Sequence, residues 1–308
     1  MCVVAVKYFP NMGWVGAKNR DRNYQTSIEI IQSNRTGMQR LYIDDELTRY
    51  TEGLNEYGVC VLSASLSVKS DEKEGDKAPS GGTPSLRSRG KRRDGYKSPD
   101  GKKIRDALLN KTPKEAAQHL IDTELAGCTY IFDEKDCYLL EAGFTVSKKN
   151  ETEERPRKYI YKLVKIDRDK HSVRTNHGIL LPELGYSKTT DIPHLNKSRK
   201  SSEMRYNYAS DAISKTTDPL DMLDSLSETP NSDKFMNPIR TGDIDKNEMV
   251  TTGQLLLVPK ERTLHYRPIY SAVSFTYNKL NNEESKTFFE IISARRLLGF
   301  KEFKKVRN

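Results

Sequence analysis

Two short stretches near the start of the chain carry residue types that do covalent chemistry. The first ten residues read MCVVAVKYFP, and one strand-length later comes VGAKNRDRNY. Cys2 sits directly behind Met1. Methionine aminopeptidases remove a leading methionine when the next residue is small, and cysteine qualifies. The mature chain is then expected to begin with a cysteine that carries both a thiol and a free α-amine. A free thiol titrates at about 8.5 and an α-amine at about 7.7–8.0, so the amine can act as base for its own side chain at neutral pH. The competing reading of Cys2 is a small apolar residue in a first strand.

The second stretch offers what such a nucleophile needs. A carboxylate is required to hold the amine, and a cation to favour the thiolate. Asp21, with Lys18 or Arg20, supplies both types. The competing reading is a solvated strand end, where runs of charge usually belong. Of the five histidines, His177 is the best placed to line a site, although an N-terminal nucleophile requires none.

The elements that must position these residues follow from the apolar pattern. Valine-rich alternation makes residues 2–9 a strand, with 14–17 opening a second after a Pro-Asn-Met-Gly turn and 27–32 a third. Residues 48–66 read as a hairpin turning at 56–58. Residues 104–109 and 113–123 read as helices. Thr112, Pro113 and Glu115 form a capping box with proline in the first turn. A hairpin over 128–143, strands at 159–167 and 172–177, and helices at 201–213 and 219–226 come next. Strands at 254–258, 271–277 and 287–292 close the chain. Hairpin-linked strands with helices grouped between them indicate an α+β fold rather than alternating βαβ units.

Composition narrows the class. The 308 residues are 35% hydrophobic and 31% charged, enough for a sizeable core in one domain spanning 2–308. Residues 69–103 contain almost no large aliphatic side chains and read as a flexible, basic insertion. That segment has one tyrosine and no interleaved aromatics, which favours a solvated loop over a nucleic-acid surface. The net charge of +9 suits an acidic substrate or partner. The first ten residues do not read as a secretory leader, and with no run of about 18 apolar residues no membrane span is expected. Four cysteines without C-x-x-C spacing suggest neither a zinc site nor a disulfide framework. A reduced, cytoplasmic protein without metal or cofactor is the expectation.

The residues also resemble a family. The start MC, the N-x-D ending at Asp21 and the hairpin GLNEYGV are similar to the choloylglycine hydrolases, which include bile-salt hydrolases, penicillin V acylases and acyltransferase relatives. RTNHG resembles the family's T-N-x stretch, whose asparagine helps form the oxyanion hole, here Asn176. SSEMRYNYA resembles the pattern that brings a late arginine into the site, here Arg205. TTGQLLLVPKERTLHYRPIYSAVSF resembles the last sheet strands. The resemblance runs with gaps from Cys2 to about Tyr277.

What the resemblance implies is a four-layer αββα sandwich, two antiparallel sheets between helix layers. It implies hydrolysis of a linear amide C–N bond in a small acyl amide through a thioester on Cys2. Acyl transfer from the same thioester is the variant, and relatives often assemble as homo-oligomers. Two departures stand out. Lys18 occupies the arginine position, keeping the charge but not the planar fork. Ser65 stands where those hydrolases have an asparagine ten residues after Asn55, so a backbone N–H would have to serve as the donor, and Ser65, Asn55 and His177 are the lesser candidates for lining the site. The basic run 87–105 has no counterpart. A catalytically inactive binding protein on this scaffold, holding an acidic partner through that run, is the reading from a different class.

Overall fold

In this computed structural model the described residues are 2–34, 36–66, 99–146, 157–185, 193–246, 248–278 and 301–304. The chain begins with β1 (Val3–Phe9), β2 (Gly13–Arg22), β3 (Thr26–Ser33), β4 (Arg40–Asp45), β5 (Thr51–Asn55) and β6 (Cys60–Ala64). Two helices follow, α1 (Pro99–Ala107) and α2 (Pro113–Asp122), then β7 (Gly127–Phe132), β8 (Cys137–Val146), β9 (Arg157–Lys165) and β10 (Ser172–Arg174). Helices α3 (Pro193–Lys215) and α4 (Asp221–Ser225) precede β11 (Val250–Val258), β12 (Thr263–Pro268), β13 (Ser271–Asn278) and β14 (Lys301–Lys304).

The strands form two sheets. One has the order β10-β1-β2-β11-β12-β14 and the other β13-β3-β4-β5-β6-β7-β8-β9. The pairings are antiparallel except for β13 on β3. The sheets face each other through one apolar layer. Val4, Val6 and Trp14 meet Ile28, Ile30, Ile43, Leu62 and Phe132 there. Helices α1 and α2 cover the outer face of the larger sheet, with Ile104, Leu108 and Leu120 against Val61, Ile131 and Leu140. Helices α3 and α4 cover the smaller sheet, with Ala209, Ile213 and Leu223 against Val3, Val15 and Leu256. The result is an α+β sandwich of four layers, αββα. Because β1 is covered on both faces, VVAVKYF is a nearly continuous apolar run rather than a strict alternation.

Helix α2 starts as expected: Glu115 N–H donates to Thr112 Oγ1 at 3.2 Å, and Thr112 N–H donates back to Glu115 Oε2 at 3.1 Å. Other expectations need correction. The second strand, opened by 14–17, runs on to Arg22, so the charges lie inside a sheet and the competing reading of a solvated strand end fails. Strand β4 (RLYIDD) was not foreseen, and β12 lies in the stretch likened to the last sheet strands but was not read from its own pattern; the two aspartates that disguise β4 are both fully buried. Residues 99–103 belong to α1 instead of a loop, while 67–98 and the strand expected at 287–292 lie outside the described residues.

The sheets can approach closely because β2 carries Gly16. A Cβ there would lie 2.4 Å from Phe132 Cζ and 2.6 Å from Leu62 Cδ1. Gly16→Ala should therefore overpack the inter-sheet layer and destabilise the protein by about 1–3 kcal/mol. Urea unfolding checks this: the midpoint should fall with the slope unchanged.

Candidate active site

Strand β2 pairs antiparallel with β1, with Val3 opposite Asn19 and Ala5 opposite Ala17. Side chains alternate along a strand. Trp14, Gly16, Lys18, Arg20 and Arg22 therefore share the inter-sheet face. Val15, Ala17, Asn19 and Asp21 share the face toward α3 and α4. All ten residues of β2 are buried. Cys2 lies just before β1, is 4% exposed and packs into the inter-sheet layer.

Buried charge is costly unless paired, and each charge on β2 has partners. Lys18 Nζ donates to Glu52 Oε1 and to the Ser63 carbonyl. Arg20 Nη1 donates to Glu52 Oε2 at 2.6 Å and Nη2 to Asp45 Oδ2 at 3.3 Å. Arg22 Nε lies 3.4 Å from Asp45 Oδ2, and its Nη1 donates to Cys2 Sγ at 3.8 Å. Burial alone would raise the Glu52 and Asp45 carboxyls, but the adjacent cations hold both below their ordinary values.

Asp21 points the other way. Its Oδ2 accepts from Arg205 Nη2 at 2.5 Å and lies 3.5 Å from Arg240 Nε. Its Oδ1 accepts from Thr251 Oγ1 at 2.8 Å. A bulge in β11 between Thr251 and Gly253 falls opposite Asp21 and Arg20, a common device beside functional sites. Arg205 is also fixed by Asn237 O and Pro238 O, both at 3.1 Å.

Asn176, just past β10, makes the contact to Cys2. The Cys2 backbone N–H donates to Asn176 Oδ1 at 3.0 Å, and Asn176 Nδ2 donates to the Ser65 carbonyl at 2.6 Å. The two neighbours settle which amide atom is oxygen. The Asn176 N–H in turn donates to Ser202 Oγ at 2.9 Å. Ser202 and Arg205 stand three residues apart on one face of α3, so a single helix holds both Asn176 and Asp21.

The sequence-selected residues thus divide. Cys2, Lys18, Asn176 and Ser65 come together, with Asp21 and Arg205 on the adjoining face. Arg20 meets Glu52 and Asp45 rather than solvent. Asn55 is elsewhere: its side chain caps its own hairpin at Tyr57 and Val59 N–H, both at 3.0 Å, and bonds Leu108 O at 3.0 Å and Asn110 O at 2.7 Å. His177 Nδ1 lies 3.0 Å from Thr175 Oγ1 and 2.9 Å from Ser202 Oγ, and burial lowers its pKa. Sequence reading missed Arg22, Glu52 and Asp45. The period-two run Lys18, Arg20, Arg22 would have revealed Arg22 had the strand been extended through it.

The electrostatic consequence falls on Cys2. All four cysteines are free and buried. Burial pushes Cys60, Cys128 and Cys137 well above the usual thiol range. At Cys2 burial also pushes upward and Asp21 adds to it. The positive charges of Lys18, the chain's amino terminus and Arg22 outweigh both, bringing the thiol down to about 7. Among the described residues no cluster of His, Cys, Asp or Glu could hold a metal ion, and no helix is long and apolar enough to cross a membrane.

No protein-family model matches this chain, and no curated protein matches it in sequence. Solved structures do. Penicillin V acylase from Agrobacterium tumefaciens is 13% identical, with a TM-score of 0.45 over 94% of this chain and 98% of that one. Two forms of conjugated bile acid hydrolase from Clostridium perfringens, a mutant and a variant, are each 11% identical, with TM-scores of 0.45 and 0.44 over 99% of this chain and 97% of theirs.

Because a nearby cation favours the thiolate, removing one must raise the thiol pKa. Arg22→Gln should move the midpoint of Cys2 ionisation upward from about 7 by about one pH unit or more. Thiolate absorbance against pH, with Cys2→Ala as the blank, reads this directly.

Proposed function

We propose that the protein is an N-terminal cysteine hydrolase of the choloylglycine hydrolase kind, cleaving a linear amide C–N bond of a small acyl amide through a thioester. The observation that carries the reading is the contrast among four buried cysteines. Three thiols are pushed up by burial, while Cys2, facing Lys18, the amino terminus and Arg22, is brought down to about 7. A low thiol pKa in an electropositive setting marks a nucleophile rather than a core residue.

In this reading Met1 is removed, and the Cys2 nitrogen that now rests on Asn176 Oδ1 becomes a free α-amine. The amine takes the thiol proton. The thiolate attacks the substrate carbonyl, forming the C–S bond and placing negative charge on the carbonyl oxygen. Asn176 Nδ2, which here donates to Ser65 O, and a backbone N–H near Ser65 supply the oxyanion donors. The intermediate collapses with cleavage of the C–N bond. The leaving amine takes its proton from the α-ammonium, and water, deprotonated by the α-amine, then releases the acyl group. Asp21 orients the terminus from the α3 side and Arg205 holds Asp21.

Intact mass and turnover test this together. The purified protein should be short of one methionine. Against a panel of N-acyl amides, Cys2→Ala should abolish both turnover and the acyl-enzyme seen by mass spectrometry. Asn176→Ala should lower kcat/KM by about 10²–10³. If Cys2→Ala cuts every amide as well as the parent, the nucleophile is misassigned. A retained Met1 together with tight binding of an acidic partner would favour the inactive binding protein.

A further inference from the structure

The inter-sheet face of β2 presents three buried cations, Lys18, Arg20 and Arg22. The facing sheet answers with two buried carboxylates, Glu52 on β5 and Asp45 on β4. Three against two leaves one positive charge in a space closed to water. Asp21 does not cancel it, because that carboxylate faces Arg205 and Arg240 on the other side of the strand. Tyr24, Tyr50 and Tyr266 are phenols beside the cluster, and burial keeps all three neutral. Among the described residues, the remaining group able to supply an anion on this face is Cys2, 3.8 Å from Arg22 Nη1. As a thiolate Cys2 cancels the excess of these three side-chain cations, and the positive amino terminus favours the same form.

Glu52 has a particular place in this count. One oxygen takes Lys18 and the Ser63 N–H, the latter at 3.1 Å, and the other takes Arg20. Lys18 also donates to the Ser63 carbonyl, closing a ring across the two sheets. Two residues further along, Ser65 O receives Asn176 Nδ2. We infer that Glu52 is a positioning residue for Cys2: it fixes Lys18 against the thiol, cancels all but one of the three cations together with Asp45, and anchors the strand that meets Asn176. The inference rests on the proposed function only in taking Cys2 as the nucleophile.

The test is a charge cycle read by thiolate absorbance against pH, which needs no substrate. Lys18→Met should raise the Cys2 midpoint, and Glu52→Gln should lower it, each by about one pH unit or more. The double variant removes a neutral pair and should return the midpoint close to the parent value. Urea midpoints should follow the same pattern, falling in each single variant and recovering in the double, because an unpaired buried charge costs more than a missing pair. A Glu52→Gln titration that does not move, or a double variant no better than the worse single, would overturn the assignment. Should the singles fail to fold, the double decides: folded with Cys2 near its parent midpoint supports the inference, and unfolded overturns it. An inactive protein that still shows the full cycle would refute the amidase reading and leave the role of Glu52 standing.

Discussion

Running a strand of alternating charges through the middle of a sandwich constrains everything around it. Residues 18–22 of β2 are buried, and ionised groups in such surroundings cost several kcal/mol each unless they are paired and hydrogen-bonded. The pleat sends Lys18, Arg20 and Arg22 to one side and Asn19 and Asp21 to the other. Each side must then provide opposite charge or hydrogen-bond partners at fixed positions. Strands β4 and β5 do so with Asp45 and Glu52. Helix α3, β11 and the segment around 240 do so with Arg205, Thr251 and Arg240. The two sheets and the α3 layer are thereby locked in register by polar contacts as well as by apolar packing.

That arrangement makes Cys2 unlike an ordinary core cysteine. The same burial that makes Cys60 and Cys137 inert also excludes water from the cations beside Cys2, so their influence on the thiol is stronger than it would be at a surface. Burial and charge act in opposite directions, and at Cys2 charge wins. Arg22 matters because it is both a contact to the sulfur and a partner of Asp45, which restrains it. Asn176 completes the surroundings from a distant part of the chain, held in turn by Ser202.

Much of the fold was legible beforehand. A valine-rich run marked β1, isoleucines marked β3, turn residues marked the β5–β6 and β7–β8 hairpins, and Thr112 with Glu115 marked the start of α2. The elements that escaped were those whose pattern is polar yet buried. Strand β4 ends in two aspartates, and the second half of β2 reads as surface, because local pattern assumes that charge seeks water. Their burial depends on partners from distant strands, which no local window contains.

The sequence by itself determined the chemical inventory: a cysteine behind the first methionine, a lysine and two arginines at period two, an aspartate between them, and an asparagine and an arginine far downstream. It also determined the strand-rich α+β class, since apolar periodicity is a local property. Only the tertiary structure decided which charges meet. It turned Asp21 toward Arg205 and away from the inter-sheet face, set Glu52 between Lys18 and Arg20, and tied Asn55 to its own hairpin and to Leu108 and Asn110. The physical reason is that electrostatic pairing falls off over a few ångströms. Which residues come that close is fixed by strand register and sheet stacking, not by neighbourhood along the chain.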